Sequence, residues 1–160
     1  METTKRLTDS SSSLPELNFL DFLDSDKKLI LVTGHRRESF GKGFTEIFSA
    51  LISVAKKFDV EIIYPVHLNP NVYDLAKKML MNISNIHLIA PLNYQAFTNL
   101  LSKSYLVLTD SGGIQEEAPS LNKPVVVMRD STERPEGIKA GTSILVGTDR
   151  LKIESTVSKL

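Results

Sequence analysis

No cysteine occurs in the 160 residues. That absence excludes disulfide staples, zinc sites built on thiolates and a cysteine nucleophile, and it fits a reducing compartment. Long apolar runs are also missing. No stretch approaches the roughly 18 consecutive apolar residues of a membrane span, and the first residues lack the apolar centre of a signal peptide. The expected partners therefore do not include a membrane, and the expected location is the cytoplasm. The chain has no excess charge of either sign, since 19 lysines and arginines balance 19 aspartates and glutamates. A neutral total argues against nucleic acid as the main partner, and any anion site must come from a local cluster of basic residues. What is present, 41% hydrophobic and 24% charged residues, is the composition of a soluble globular protein, and the length suits one domain.

The first 13 residues, METTKRLTDSSSS, are polar and show no apolar periodicity, so they read as a flexible leader. In the following LPELNFLDFLD, residues Leu17, Phe19, Leu20, Phe22 and Leu23 suggest a short amphipathic segment lying against another surface, either within this chain or missing from it. Residues 1–27 are thus expected to be a leader and connecting segment, and 28–160 the domain proper. From Lys28 onward, short runs of leucine, isoleucine and valine alternate with stretches of helical spacing. The expected strands are 29–33, 61–66, 86–89, 105–109, 124–128 and 143–146. Most are apolar on both faces, as in parallel sheets covered by helices on both sides. Helices are expected over 43–57, 71–81, 94–102 and 113–119, with a last one starting near Asp149 and still running at Leu160. The longest carries Phe44, Ile47, Phe48, Leu51, Ile52 and Ala55 at helical spacing and ends on Lys56 and Lys57, as suits a helix C-terminus. The expected fold class is α/β, a Rossmann-like doubly wound parallel sheet of about six strands with flanking helices.

Ligands of such sheets bind beyond the carboxyl ends of the strands. After the first expected strand the chain reads Gly34-His35-Arg36-Arg37-Glu38-Ser39-Phe40-Gly41-Lys42, a cationic loop able to meet phosphate oxygens, or else a solvated basic turn. After the fourth comes Asp110-Ser111-Gly112-Gly113, followed by Glu116 and Glu117. Its glycines let the backbone approach a ligand, Ser111 can cap the next helix, and free amides at a helix start favour a diphosphate. The alternative is a simple glycine turn. Arg134, held extended before Pro135, could aim its guanidinium into a cleft or sit in a charged surface turn. His67 lies at another strand end, ahead of a Pro70 suited to starting a helix, whereas His87 falls within a strand and reads as packed or exposed.

Taken together, VTGHRRESFGKG, YPVHLNPNV, LTDSGGIQEEAPSLNKPVVVMRDSTERPE and AGTSILVGT resemble the C-terminal domain of the UDP-N-acetylglucosamine 2-epimerases, over essentially Leu29 to the end. The resemblance implies one half of a GT-B-like fold, in which two Rossmann-like domains hold a nucleotide sugar between them, and it implies a C-terminal tail cut short here. It implies that Ser111, Gly112 and Gly113 bind the diphosphate of UDP, that Glu117 meets the ribose and that Phe97 lies beside the uracil. His35 and Arg134 would reach the nucleotide sugar, with His35 the one residue near the chemistry. The segment before Phe97, PLNY, lacks a glutamine found there in some members, so uridine contacts can differ. The implied reaction converts UDP-N-acetylglucosamine to UDP-N-acetylmannosamine by elimination and re-addition of UDP, for cell-surface polysaccharide precursors, with no cofactor and no metal. The acidic residues for proton transfer belong to an N-terminal domain, expected here as a separate or missing half, and the full enzyme is expected to be a homodimer. Some bacterial members carry a second, regulatory UDP-N-acetylglucosamine site, for which Arg36, Arg37 and His67 are the candidates. Two other readings stay open: a non-catalytic UDP or UDP-sugar binding fragment, and the donor domain of a GT-B glycosyltransferase.

Overall fold

The computed structural model describes residues 15–23 and 26–160. The leader expected over the first 13 residues lies outside them. In chain order, a 3-10 helix at Pro15–Phe22 leads to β1 (Lys28–Thr33), a 3-10 turn (Arg37–Ser39) and α1 (Lys42–Lys57). There follow β2 (Val60–Pro65), α2 (Pro70–Leu80), β3 (Ile86–Ile89), α3 (Tyr94–Lys103), β4 (Leu106–Thr109) and α4 (Gly112–Ser120). The chain then forms β5 (Val125–Val127), α5 (Pro135–Ala140), β6 (Ser143–Leu145) and α6 (Arg150–Lys159). No helix among the described residues is long and apolar enough to cross a membrane.

The six strands form one parallel sheet in the order β3-β2-β1-β4-β5-β6. This is the doubly wound order, in which the winding direction reverses between β1 and β4. The side-chain period of two sorts the apolar runs onto two faces. Ile30, Val32, Ile62, Tyr64, Leu106, Leu108 and Val126 belong to one core beneath α1, α2 and α6. The residues between them, Leu31, Ile63, Val107, Val125 and Val127, belong to the other, beneath α3 and α4. Continuous apolar strands were therefore a sign of burial on both sides rather than of a poorly patterned single face.

Local chemistry starts the helices where spacing expected them. Asn69 accepts the Asn71 N–H at 3.0 Å with Pro70 as the first helical residue of α2, Asn93 accepts the Ala96 N–H at 2.8 Å for α3, and Asp149 accepts the Lys152 N–H at 3.0 Å for α6. The structure completes two readings. The amphipathic segment at Pro15–Phe22 lies against this chain itself, because Leu17 is buried in the α3–α4 core with Leu20 and Leu23 packed against it. Helix α5, which has no buried residue and only six positions, escaped periodicity altogether. It is defined by Pro135 at its start and by Gly141 in the left-handed region at φ 77° at its end.

Candidate functional site

The reversal between β1 and β4 splays their following loops apart and opens a crevice at the carboxyl end of the sheet. Thr33 and Thr109, paired in register at the ends of these strands, join hydroxyls at 2.6 Å, and Thr109 Oγ1 also accepts the Ser111 N–H at 3.0 Å. Beyond them lies a hollow of about 370 Å³ walled by Thr33, His35, Phe97, Ser111, Gly113 and Glu117, with Leu92, Tyr94 and Ile114. Its polar groups come from the β1 and β4 loops and its apolar wall from α3 and the segment before it, the division of labour usual in ligand sites. A larger hollow, about 790 Å³, opens beyond β5 and β6 between Lys42, Arg129, Asp130 and the start of α6. It contains none of the expected site residues, and the smaller one at the reversal point is the better candidate on topology.

Asp110 organises the β1 loop, and sequence reading gave it no role. Its side chain is buried. One carboxylate oxygen, Oδ2, accepts the backbone N–H groups of His35 (2.9 Å) and Arg36 (3.0 Å), and its carbonyl accepts Arg36 Nε at 3.0 Å. The other oxygen, Oδ1, has no hydrogen-bond partner and lies 3.6 Å from His35 Nδ1. Beneath the loop, the buried Tyr64 hydroxyl donates to the Gly34 carbonyl at 2.7 Å. Burial, and secondarily the Asp110 carboxylate, push the Tyr64 phenol far above its ordinary range, so it stays a donor. A Cβ on Gly34 would come within 3.2 Å of Phe44 Cε1, so any side chain there would press on that ring. The available signals were a carboxylate closing an apolar strand and a tyrosine in the middle of another. Neither announces its partner.

The expected site residues fall into groups. His35, Phe97, Ser111, Gly113 and Glu117 share the hollow. Gly112 is buried beside it, where a Cβ would meet Glu133 Oε1 at 2.6 Å and Arg134 Nε at 3.7 Å. Arg134 is turned toward α4, with Nε 2.8 Å from Glu116 Oε1. Its backbone stands outside the helical region at φ −120° and ψ 67°, and its N–H donates to Thr132 Oγ1 at 3.0 Å, while Thr132 donates to Gln115 Oε1 at 2.6 Å. Ser111 occupies the N-cap position of α4 but makes no side-chain cap bond, contrary to expectation. Its hydroxyl and the first amides of α4 therefore stay available to a ligand. Burial, and to a lesser extent the neighbouring Glu116, raise the carboxyl pKa of Glu117.

Of the remaining candidates, Arg36 is committed to the Asp110 carbonyl and lies 3.5 Å from Glu133 Oε1, whereas Arg37 is exposed. His67 stacks on His35 with ring centroids 5.5 Å apart at 18°, and its Nδ1 accepts the Asn69 N–H at 3.1 Å. His87 is neither simply packed nor simply exposed: its Nε2 lies 2.6 Å from Glu61 Oε2, at the far edge of the sheet.

Comparison with known proteins gives this arrangement a setting. The family model described as UDP-N-acetylglucosamine 2-epimerase matches residues 4–160. The chain is 59% identical over 140 residues to the UDP-N-acetylglucosamine 2-epimerase of Yersinia pestis, an alignment covering 87% of this chain and 37% of that protein. It is 58% identical to that of Escherichia coli K12, with the same coverage. Its fold is similar to the crystal structure of UDP-GlcNAc 2-epimerase from Neisseria meningitidis bound to UDP-GlcNAc, with TM-score 0.89, 43% identity, and coverage of 99% of this chain and 42% of the other. The chain thus spans little more than a third of the length of the curated relatives it matches.

Proposed function

The chain belongs to the UDP-N-acetylglucosamine 2-epimerase family, and from that premise we propose that it is the UDP-holding, C-terminal Rossmann-like half of such an enzyme. The observation that carries this reading is the convergence of His35, Phe97, Ser111, Gly113 and Glu117 on one hollow at the reversal point of the sheet. In it the amides and hydroxyl of Ser111–Gly113 at the start of α4 receive the diphosphate, where hydrogen bonds and helix dipole act together. Phe97 lies under the uracil, and Glu117 accepts from the ribose hydroxyls. Arg134 neutralises the departing diphosphate. Its present partner Glu116 is well exposed, so the pair is a weak one that a doubly charged ligand displaces at small cost. His35, at the mouth of the hollow, serves the sugar.

The reaction proposed is that of the family: UDP leaves carbon 1 of UDP-N-acetylglucosamine as a proton is removed from carbon 2, and UDP then adds back to carbon 1 as a proton is delivered to the opposite face of carbon 2, giving UDP-N-acetylmannosamine. A departing diphosphate needs fixed positive charge and oriented amides, and these residues supply both. The acid and base for carbon 2 belong to an N-terminal domain across the cleft, and the whole enzyme works as a cytoplasmic homodimer. His67 and the exposed Arg37, with a lesser share for the inward-bound Arg36, form the edge at which a second, regulatory UDP-N-acetylglucosamine would bind.

Calorimetric titration with UDP tests this. Arg134→Ala removes a charge-assisted contact worth about 1.5–3 kcal/mol and is expected to weaken UDP binding by about 10- to 100-fold. Ser111→Ala is expected to weaken it by less. A folded chain that does not bind UDP overturns the reading. Turnover of UDP-N-acetylglucosamine after addition of an N-terminal epimerase domain separates an enzyme half from a module that only binds.

A further inference from the structure

Asp110 is a buried carboxylate with an uneven set of partners. Its Oδ2 accepts two backbone N–H groups, while Oδ1, equally buried, accepts none. A buried acceptor left unpaired costs free energy, so the side chain would be expected to turn unless something nearby uses that oxygen. The group that faces it is His35 Nδ1 at 3.6 Å. That distance exceeds a hydrogen bond, but a small rotation of the ring closes it, and the His67 ring lies stacked beside it with centroids 5.5 Å apart. A carboxylate cannot donate. Among the forms of the His35 ring, only one with its proton on Nδ1 can donate to it.

We propose that Asp110 is a positioning residue for His35: Oδ2 fixes the main chain of His35 and Arg36, and Oδ1 holds the imidazole as its Nδ1–H tautomer, leaving the Nε2 lone pair as the acceptor. The other two histidines are built the opposite way. His67 Nδ1 accepts the Asn69 N–H, so its proton sits on Nε2, and His87 presents Nε2 to the Glu61 carboxylate. His35 is thus the single histidine of the three arranged to accept through Nε2. That this nitrogen serves a substrate rests on the function proposed above, whereas the tautomer rests on Asp110 alone.

The test is nitrogen-15 NMR of the histidine side chains in the full 160-residue chain at about pH 9, where neutral imidazoles prevail. Resonances are assigned with His35→Gln, His67→Gln and His87→Gln. The expected spectrum has the proton-bearing nitrogen at Nδ1 for His35 and at Nε2 for His67 and His87. In Asp110→Asn the amide oxygen keeps the two backbone bonds, and the amide nitrogen now faces His35 Nδ1 as a donor. The two His35 resonances should therefore exchange character, with the proton moving to Nε2, while those of His67 and His87 stay in place. A merely structural Asp110 would not produce that exchange. An Nε2–H His35 in the wild type, or an unchanged His35 pattern in folded Asp110→Asn, overturns the proposal. Should the variant fail to fold, the wild-type spectrum alone decides. Absence of UDP binding together with an Nδ1–H His35 would sink the proposed function and leave this assignment standing.

Discussion

Replacing Tyr64 by phenylalanine removes one oxygen from beneath the candidate site and little else. The ring keeps its packing, including the tilted contact with Phe48 at 5.9 Å between centroids. The buried Gly34 carbonyl loses the donor that now reaches it at 2.7 Å. Leaving a buried acceptor short of its partner costs about 1–3 kcal/mol. For a chain of 160 residues each kcal/mol lowers the melting temperature by about 2–4 °C, so a drop of roughly 2–12 °C is expected. In urea the midpoint should fall with no change of slope, since the same surface is exposed on unfolding. The pH dependence carries a second signature. The folded-state pKa of Tyr64 is raised, so its contribution is complete below the ordinary phenol value of 10.0 and is lost as the pH climbs beyond it. The wild type should therefore lose its advantage over Tyr64→Phe above about pH 10. Thermal melts by circular dichroism at neutral and high pH measure both effects. Equal melting temperatures at neutral pH would refute the claim that this hydroxyl holds the β1 loop.

Two further substitutions probe the site's surroundings. Glu117 has a raised pKa from burial first and Glu116 second, so its favourable contribution is present below the ordinary carboxylate value of 4.5 and is lost as pH rises. The melting temperature of Glu117→Gln relative to the wild type should accordingly increase between about pH 4 and pH 7, and a constant difference would contradict that electrostatic account. In Gly137→Ala the new Cβ would lie 2.7 Å from Ser143 Oγ and 3.2 Å from Ser143 Cβ. Overpacking there should cost about 1–3 kcal/mol, outweighing the roughly 1 kcal/mol that alanine gains over glycine in a helix, and a variant as stable as the wild type in urea would show that α5 yields freely.

How much of this was readable in advance depends on whether the signal is local. Six strands and five helices follow from the spacing of apolar residues, whereas the caps at Asn69, Asn93 and Asp149 are seen only in the structure. Helix α5 leaves no periodic trace because none of its six positions is buried. The Pro15–Phe22 segment was read correctly as amphipathic, yet its partner surface, the α3–α4 core, is assembled from residues far along the chain. The candidate site divides in the same way. Ser111, Gly112 and Gly113 stand together at a strand end, so their place at the start of α4 could be read from the sequence, even though the expected Ser111 cap does not form.

The sequence by itself determined a doubly wound α/β domain, because apolar period, glycine loops and basic loops are properties of neighbouring residues, and the resemblance of its loop motifs pointed to the UDP-N-acetylglucosamine 2-epimerase family. Only the tertiary structure decided that Asp110 would grip a loop 75 residues earlier in the chain, that Tyr64 would support Gly34 and that His67 would stack on His35. Those contacts exist because β1 lies between β2 and β4 in the sheet. Strand order is fixed by the packing of whole layers and is not carried by any single stretch of residues.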